Sequence, residues 1–453
     1  MPTPDLVIYS TRVVTPEGTG PAAVVVEHGV VRAVEPPPGP AIANRLDVGH
    51  LIVMPGLVDT HVHVNEPGRT EWEGFETAAR AAAAGGVTTL VDMPLNSSPV
   101  TTSVEALEAK RDAAAARCGV DYGFWGGVVP GNAAHLPALA EAGVLGFKCF
   151  LAPSGLDEFP PVTEADLHEA MPALAALDAV LLVHAEAPGP LERAAGGSGD
   201  ARSYRRYLAS RPREAEHEAI ALLLRLAAEY GCRVHVVHLS SAGALPLLRE
   251  ARRNGVPLTV ETCPHYLTFA AEEIPDGATL FKCAPPIRER ENRERLWDAL
   301  RDGEIDMIAS DHSPCPPELK RLEAGNFDGA WGGVSSLQLT LAAVWTEARR
   351  RHVSPDALAR WLGERPARLA GVSHCKGRIA PGYDADLVVW DPDAEWTVDA
   401  ARLHHRHAVT PYAGRALHGA VRHVFLRGNP ISHDGRVTNG RPGRWLRGCM
   451  RVV

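Results

Sequence analysis

Two histidines separated by one residue stand at the end of a short apolar run. The segment reads Asp59-Thr60-His61-Val62-His63. Successive side chains of an extended strand alternate between its two faces, so His61 and His63 point to the same side and can bind one ion together. Because imidazoles suit divalent transition metals, the pair predicts a metal site at the end of a strand.

Four further apolar runs end in residues that can bind a metal or carry charge. These residues are Lys148, His184, His238 and Asp311. A histidine can be buried for packing alone, but a Lys or an Asp is costly to bury without a partner. Five apolar runs that end in such residues predict one shared site. Its imidazoles and carboxylate favour Zn²⁺, Co²⁺, Mn²⁺ or Fe²⁺ over Ca²⁺ or Mg²⁺.

Lys148 is one of only five lysines among the 46 basic residues of the chain. An ammonium cannot bind a metal, so Lys148 either points elsewhere, is neutral, or has been converted into an anion. If its amine captured CO₂ as a carbamate, it would offer two oxygens and a negative charge to two metals at once. An arginine could not replace it in this chemistry.

A scaffold must bring these run ends to one place. Short apolar runs alternate with helical stretches from about residue 55 to about residue 375, which is typical of repeated β–α units. The runs are 57–64, 88–93, 121–129, 144–151, 179–184, 233–239, 257–263 and 306–310. Eight such units predict an α/β fold of the (β/α)₈ TIM-like barrel type, whose active sites lie at the carboxyl ends of the strands. An open doubly wound sheet is the structural alternative.

Both ends of the chain follow a different pattern. Residues 5–54 alternate β-branched and polar residues between turn signals, and the same pattern returns after Lys376. The first stretch predicts a small antiparallel sheet. Together the two ends predict a small β-sandwich domain of residues 1–54 and 377–453, beside a barrel of residues 55–376.

The composition of the chain limits the kinds of molecule that it is expected to bind. The 453 residues carry a formal net charge of −9, and 45% are hydrophobic. This balance indicates a globular protein with a small-molecule substrate and argues against nucleic acid or an anionic membrane as partner. The N-terminus lacks the features of a signal peptide, and the eight cysteines form no CxxC pair. We therefore expect a cytoplasmic protein with reduced thiols.

The six candidate ligands together resemble the amidohydrolase superfamily. Within it they resemble the cyclic amidohydrolases, namely dihydroorotases, hydantoinases and allantoinases. In that family the lysine is carbamylated, as N6-carboxylysine, and bridges two divalent ions, most often Zn²⁺. The resemblance implies that one ion is held by His61, His63, Lys148 and Asp311 and the other by Lys148, His184 and His238.

Segments outside the ligands resemble the allantoinase branch. They are residues 63–77, 93–96, 147–150, 263–266, 282–288, 310–320 and 330–334. Dihydroorotases carry an arginine two positions after the second His of the HxH pair, where it binds the substrate carboxylate. Here that position is Asn65. Because allantoin has no carboxylate, this difference favours an allantoinase over a dihydroorotase.

The resemblance also implies an activity. An allantoinase opens the hydantoin ring of allantoin to allantoate in purine catabolism, and a hydroxide shared by the two metals would attack the ring amide. Asp311 is expected to be the general base and then the general acid. The candidate substrate contacts are Asn96, Cys283, Ala284, Ser313 and Trp331. A homotetramer is implied by analogy.

Two alternatives remain open. The first is another cyclic amidohydrolase, either a hydantoinase or dihydropyrimidinase, or a dihydroorotase. The second is a catalytically silent scaffold, although none of the six ligands is missing. Of the other histidines, His265 and His312 are expected beside the site, whereas the run 404–407, with three histidines, is expected on an exposed surface of the terminal domain.

Overall fold

The structure is a computed structural model that describes residues 4–37, 44–438, 443–448 and 450. Residues 1–3 and 451–453 of the expected terminal domain, and Cys449, lie outside the described residues. The strands are β1 (Leu6–Thr15), β2 (Gly18–Glu27), β3 (Val30–Glu35), β4 (Arg45–Asp47), β5 (Ile52–Pro55), β6 (Leu57–Val62), β7 (Val87–Asp92), β8 (Asp121–Phe124), β9 (Gly126–Gly127), β10 (Phe147–Phe150), β11 (Val180–His184), β12 (Arg233–Val236), β13 (Leu258–Thr262), β14 (Met307–Ile308), β15 (Leu387–Thr397), β16 (Ala416–Leu426), β17 (Asn429–His433) and β18 (Arg436–Val437).

Helices follow most of the barrel strands. They are α1 (Phe75–Gly85), α2 (Val104–Ala115), α3 (Leu136–Ala142), α4 (Glu164–Ala176), α5 (Pro188–Ala194), α6 (Tyr204–Ser210), α7 (Arg213–Tyr230), α8 (Leu245–Arg253), α9 (Pro264–Thr268), α10 (Arg290–Arg301), α11 (Thr340–Arg350), α12 (Pro355–Ala359) and α13 (Arg365–Leu369). Within the described ranges, no helix combines the length and the apolar character needed to cross a membrane.

Strands β6 to β14 form the barrel that the eight apolar runs predict. Parallel pairing joins β6 to β7 and β8, and a second parallel set runs from β9 through β13 to β14. The last run returns to the first, because Val62 pairs with His312 and the N–H of His63 donates to the carbonyl of His312 at 2.8 Å. This closure confirms the barrel and excludes the open doubly wound sheet.

The third barrel strand is interrupted at Trp125. Strand β8 pairs with β7 and strand β9 pairs with β10, and the fully buried Trp125 lies between them. Its indole Nε1–H donates to the carbonyl of Thr60 at 2.8 Å, in the strand that carries the HxH pair. The indole thereby connects the third barrel strand to the first, directly beside His61.

Both chain ends meet in one sheet, as predicted. Within the described residues this sheet has nine strands, and β5 pairs antiparallel with β15, which joins the N-terminal part to the C-terminal part. The expectation of an antiparallel N-terminal sheet is wrong in part, since β1 pairs parallel with β4 and β5. Strands β4 and β5 pair with β1 in the same direction as β1, whereas β2 pairs with it antiparallel, and parallel strands need a connection longer than a hairpin.

A buried ion cluster fixes this sheet to the barrel. Nζ of Lys376 lies 2.6 Å from Asp121 of β8 and 2.7 Å from Asp386, and Arg427 also pairs with Asp121. Burial works against the charge of Lys376, but the neighbouring carboxylates raise the pKa of its ammonium above the usual value. Lys376 therefore remains charged and links the two parts of the chain.

Candidate metal centre

His61, His63 and Asp311 form a buried cluster at the carboxyl ends of β6 and β14. The Oδ1 atom of Asp311 lies 3.2 Å from Nε2 of His61 and 3.5 Å from Nε2 of His63. Burial works to raise the pKa of Asp311, but the two imidazoles bring it well below its usual range. Asp311 is therefore an anion, and the three side chains offer one carboxylate and two nitrogens to a divalent cation.

His184 and His238 form a second pair beside the first cluster. His184 ends β11 and His238 follows β12, and Nδ1 of His184 lies 3.0 Å from Nε2 of His238. The ring centroids of His61 and His238 are 5.4 Å apart, so the two groups are neighbours. Burial lowers the pKa of both His184 and His238, which favours the neutral imidazole that metal binding requires.

Lys148 lies inside the barrel on β10, the strand next to β11. Its side chain is fully buried, and within the described part of the chain Nζ has no hydrogen-bond partner. Nζ lies 4.8 Å from the centroid of the Phe150 ring, which itself stacks on His184. Burial lowers the pKa of Lys148 to about 8. The site thus raises the fraction of neutral amine above that of a lysine in water.

Glu261 on β13 orients the ring of His61 and binds the backbone of His238, and sequence reasoning missed it. Its carboxylate accepts hydrogen bonds from Nδ1 of His61 at 2.5 Å, from Nε2 of His235 at 3.1 Å and from the backbone N–H of His238 at 3.2 Å. Because an ionised carboxylate only accepts, Nδ1 of His61 carries the proton and Nε2 is left free toward Asp311. The signal in the sequence was a glutamate inside an apolar run.

Glu186 performs the same task for His184. One carboxylate oxygen lies 2.8 Å from Nε2 of His184, which leaves Nδ1 of that ring facing His238. Arg211 donates to the other oxygen from Nε at 3.1 Å, and its Nη2 also bonds Glu186. Glu186 is visible in the sequence two residues after His184, whereas Arg211, on the segment after α6, could not be linked to it.

A cavity of about 300 Å³ opens over this cluster. His61, His63, His184, His238 and Asp311 line its floor. All the candidate substrate contacts lie in its wall, namely Asn96, Cys283, Ala284, Ser313 and Trp331. Arg211, Tyr207 and Lys282 also line it and were not anticipated. The structure therefore collects five of the six candidate ligands and all the candidate substrate contacts around one space, whereas Lys148 is buried and is not among the lining residues.

The chain is similar to known proteins over most of its length. Residues 52–431 match the Amidohydrolase family. The chain belongs to the amidohydrolase family. It is 54% identical to an allantoinase from Streptomyces avermitilis, over 98% of both chains, and 45% identical to an allantoinase from Saccharomyces cerevisiae, over 94% of this chain and 92% of that one. Among solved structures, an L-hydantoinase (dihydropyrimidinase) from Arthrobacter aurescens matches with a TM-score of 0.93 and 32% identity, over 98% of this chain and 100% of that one.

Four residues around the cavity of this amidohydrolase have a left-handed backbone. The φ angles are 67° at Asn65, 70° at Asn96, 39° at His238 and 45° at Asp311. Residues with a Cβ rarely adopt positive φ, at a cost of about 1–3 kcal/mol each, and such residues concentrate at functional sites. The surrounding barrel therefore holds two candidate ligands and two other cavity residues in conformations that they would not adopt by themselves.

The remaining histidines occupy three different environments. His265 lies against Asp311, and neither of its ring nitrogens has a hydrogen-bond partner among the described residues. His312 turns away from the cluster, and its Nδ1 accepts from the backbone N–H of Ser336 at 3.1 Å. The expectation of an exposed surface at 404–407 is wrong for His405, which is buried with its ring 4.8 Å from that of His312. This segment leaves the terminal sheet and packs on the chain that follows β14.

Proposed function

We propose that this amidohydrolase is an allantoinase, which cleaves an amide bond of the hydantoin ring of allantoin to give allantoate. The observation that carries the proposal is 54% identity with an allantoinase along 98% of both chains. The cavity supports it, because its floor of imidazoles and a carboxylate suits metal-assisted hydrolysis of a small cyclic amide.

The cavity wall favours an uncharged ring over a carboxylate substrate. Asn65, at the position of the carboxylate-binding arginine of dihydroorotases, is buried, with its Nδ2 atom 3.5 Å from the carbonyl of Pro314. Two cationic side chains line the wall, but both are already bonded within the protein. Arg211 pairs with Glu186, and Nζ of Lys282 donates to a backbone carbonyl at 2.6 Å.

A parallel assay of three substrates tests the proposed activity. The protein is loaded with Zn²⁺ or Co²⁺ in bicarbonate and given allantoin, hydantoin or dihydroorotate, and ring opening is followed for each. We expect kcat/KM for allantoin to exceed that for the other two by about a hundredfold or more. Preference for hydantoin, which the similarity to a hydantoinase structure makes the second candidate, would refute the proposal, as would preference for dihydroorotate. If none of the three substrates is hydrolysed while two metals are bound, the result would favour the alternative of a catalytically silent scaffold.

We infer that the site takes two divalent cations, with Zn²⁺ as the first choice and Co²⁺, Mn²⁺ or Fe²⁺ as substitutes. His61, His63 and Asp311 would hold one cation, and His184 and His238 the other. Nδ1 of His63 and Nδ1 of His238 have no hydrogen-bond partner within the described residues, so one nitrogen of each ring is free of a competing hydrogen bond. When bound, such cations polarise an amide carbonyl and lower the pKa of a shared water to about 7.

We also infer that Lys148 would carry a carbamate and would serve as an anionic ligand for the cations. Its buried amine has no partner within the described chain, and a carbamate there would supply anionic oxygens in addition to the carboxylate of Asp311. The neutral amine attacks the carbon of CO₂ and one proton leaves Nζ, which forms an N–C bond and an anion with two oxygens. Arginine cannot undergo this step at neutral pH.

In this mechanism Asp311 moves the proton. Its carboxylate is ionised and lies at the cavity floor, where it takes up a proton from the attacking water. The same carboxyl group then gives the proton to the ring nitrogen as the C–N bond breaks, and Asp311 returns to its starting state. Glu261 and Glu186 keep the imidazoles of His61 and His184 in the required tautomer throughout.

Three further expectations stay predictions. We propose the division into a terminal β domain, residues 1–54 with 377–453, and a barrel, residues 55–376, because Lys376 lies at the junction and pairs with carboxylates of both parts. The cytoplasmic location and the homotetramer rest on the sequence and on the family resemblance alone.

A further inference from the structure

Two lysines of this lysine-poor chain are directed at one piece of the cavity wall. We name residues 327–333 the wall segment, because Ala330, Trp331, Gly332 and Gly333 all line the cavity. Lys110 and Lys376 each bond a buried carboxylate. Lys282 and Lys320 instead bond backbone carbonyls of the wall segment, and among the described residues neither of them forms an ion pair. This difference indicates a task other than charge pairing.

Lys282 bonds the first half of the wall segment. Its Nζ donates to the carbonyl of Ala330 at 2.6 Å and also to the carbonyl of Phe327. The backbone carbonyl of Lys282 in turn accepts from the N–H of Gly333 at 2.8 Å. Lys282 therefore holds this segment beside Cys283, a candidate substrate contact on the same wall of the cavity.

Lys320 bonds the second half of the wall segment. Its side chain is buried, and Nζ donates to the carbonyl of Gly333 at 2.5 Å and to that of Trp331 at 3.2 Å. The N–H of Trp331 donates to the carbonyl of Leu319 at 2.8 Å. The ammonium of a lysine has three N–H donors and can bond carbonyls that do not lie in one plane. The guanidinium of an arginine is planar and is less suited to this arrangement.

The bonded segment presents Trp331 to the cavity in a fixed place. The indole of Trp331 meets that of Trp72 edge to face at 5.1 Å. A Cβ on Gly155 would lie 3.2 Å from the Trp331 ring, so this loop also packs closely on it. Gly333 has φ of 135°, and a Cβ there would lie 2.1 Å from the carbonyl of Ser313. The wall therefore depends on close backbone contacts that small displacements would disrupt.

We propose that Lys282 and Lys320 are positioning residues that bind the carbonyls of the wall segment and hold Trp331 against the ring of a bound cyclic ureide. The inference rests on the proposed function for the identity of the substrate. It does not involve the metals, since neither lysine contacts a candidate ligand in the described structure. Loss of either ammonium should weaken substrate binding and leave the chemical step unchanged.

Three substitutions test this proposal. Lys282→Met and Lys320→Met keep an unbranched side chain as far as the position of Cε and remove the donors, whereas Lys282→Arg keeps a charged donor. We expect each Met variant to raise KM for allantoin by about tenfold, with kcat within about threefold of the parent and two metals retained. Hydrogen–deuterium exchange at the N–H groups of Trp331 and Gly333 should become faster. Lys282→Arg should have a KM close to that of the parent.

Leu322→Ser is the matched control. Leu322 is 41% exposed, lies between Lys320 and the wall segment, and does not line the cavity, so KM and exchange should not change. Unchanged exchange in both Met variants would overturn the proposal. A higher KM without faster exchange would also overturn it, because Lys282 would then contact the substrate directly. If the buried Lys320→Met variant does not fold, the partly exposed Lys282 carries the test. A parent without allantoin turnover would refute the proposed function, and the exchange data would still decide the positioning role.

Discussion

Replacing Glu261 by Gln removes one negative charge beside the candidate metal ligands and keeps the shape of the side chain. Glu261 is fully buried and accepts hydrogen bonds from His61, His235 and the backbone of His238. Nδ1 of His235 also lies 2.8 Å from the hydroxyl of Thr259, so this ring can exchange its tautomer to meet the amide of the new glutamine. The bond to His61 then changes from charge-assisted to neutral.

The size of the effect follows from that one bond. A hydrogen bond to a charged group contributes about 1.5–3 kcal/mol, against about 0.5–1.5 kcal/mol for a neutral one. The difference of about 1–1.5 kcal/mol weakens the His61 imidazole as a ligand and corresponds to about tenfold weaker metal binding. This agrees with the loss of about tenfold to a hundredfold that is typical when a carboxylate behind a metal-bound histidine is removed.

Metal competition measures this prediction. The parent and Glu261→Gln are titrated with a chelator of known Zn²⁺ affinity, and metal content is determined at each step. Glu347→Gln is the control, because Glu347 is a buried carboxylate that bonds Arg350 and Arg351 and does not line the cavity. Metal affinity of Glu261→Gln equal to that of the parent and of the control would refute the assignment of His61 as a ligand oriented by Glu261.

Three further variants test other parts of the account. Lys148→Met should bind fewer than two metals per chain and lose turnover, and full metal content would contradict the bridging carbamate. Asp311→Asn should lower kcat by about 10²–10⁴, and an Asn variant with two metals and full turnover would remove its role in proton transfer. Asp121→Asn removes one of the carboxylate charges beside the buried ammonium of Lys376. It should reduce the free energy of unfolding by about 3–5 kcal/mol, measured by thermal and denaturant unfolding. Asp112→Asn, at an exposed position, is the control and should change the free energy of unfolding by less than about 1 kcal/mol. Equal losses of stability in Asp121→Asn and Asp112→Asn would refute the conclusion that the buried ion cluster fixes the terminal sheet to the barrel.

The barrel could be predicted because its signals are local. Each strand is an apolar run buried on both faces, and the runs recur with a helix between them. His61, His63 and Asp311 end two of these runs, and the geometry of a barrel brings run ends together whatever their separation in sequence. The parallel pairing of β1 with β5 was missed because direction depends on the path of a long connection, which composition does not record.

The supporting contacts could not be predicted, because they join residues distant in sequence. Glu186 meets Arg211 across 25 positions, and Lys282 meets Ala330 across 48. A single sequence contains the residue types of such pairs but not their partners. His405 was misjudged for the same reason, since only the folded chain shows that it packs on His312.

Stepwise restoration of stripped protein tests whether residues from five strand ends build one two-metal centre for allantoin hydrolysis. The protein is freed of metal and CO₂, then supplied with Zn²⁺, with bicarbonate, or with both, while allantoate formation and bound metal are measured together. Turnover should return fully only with both additions and should track two metals per chain. Turnover of the stripped protein, or two bound metals without allantoate in the presence of bicarbonate, would contradict this expectation.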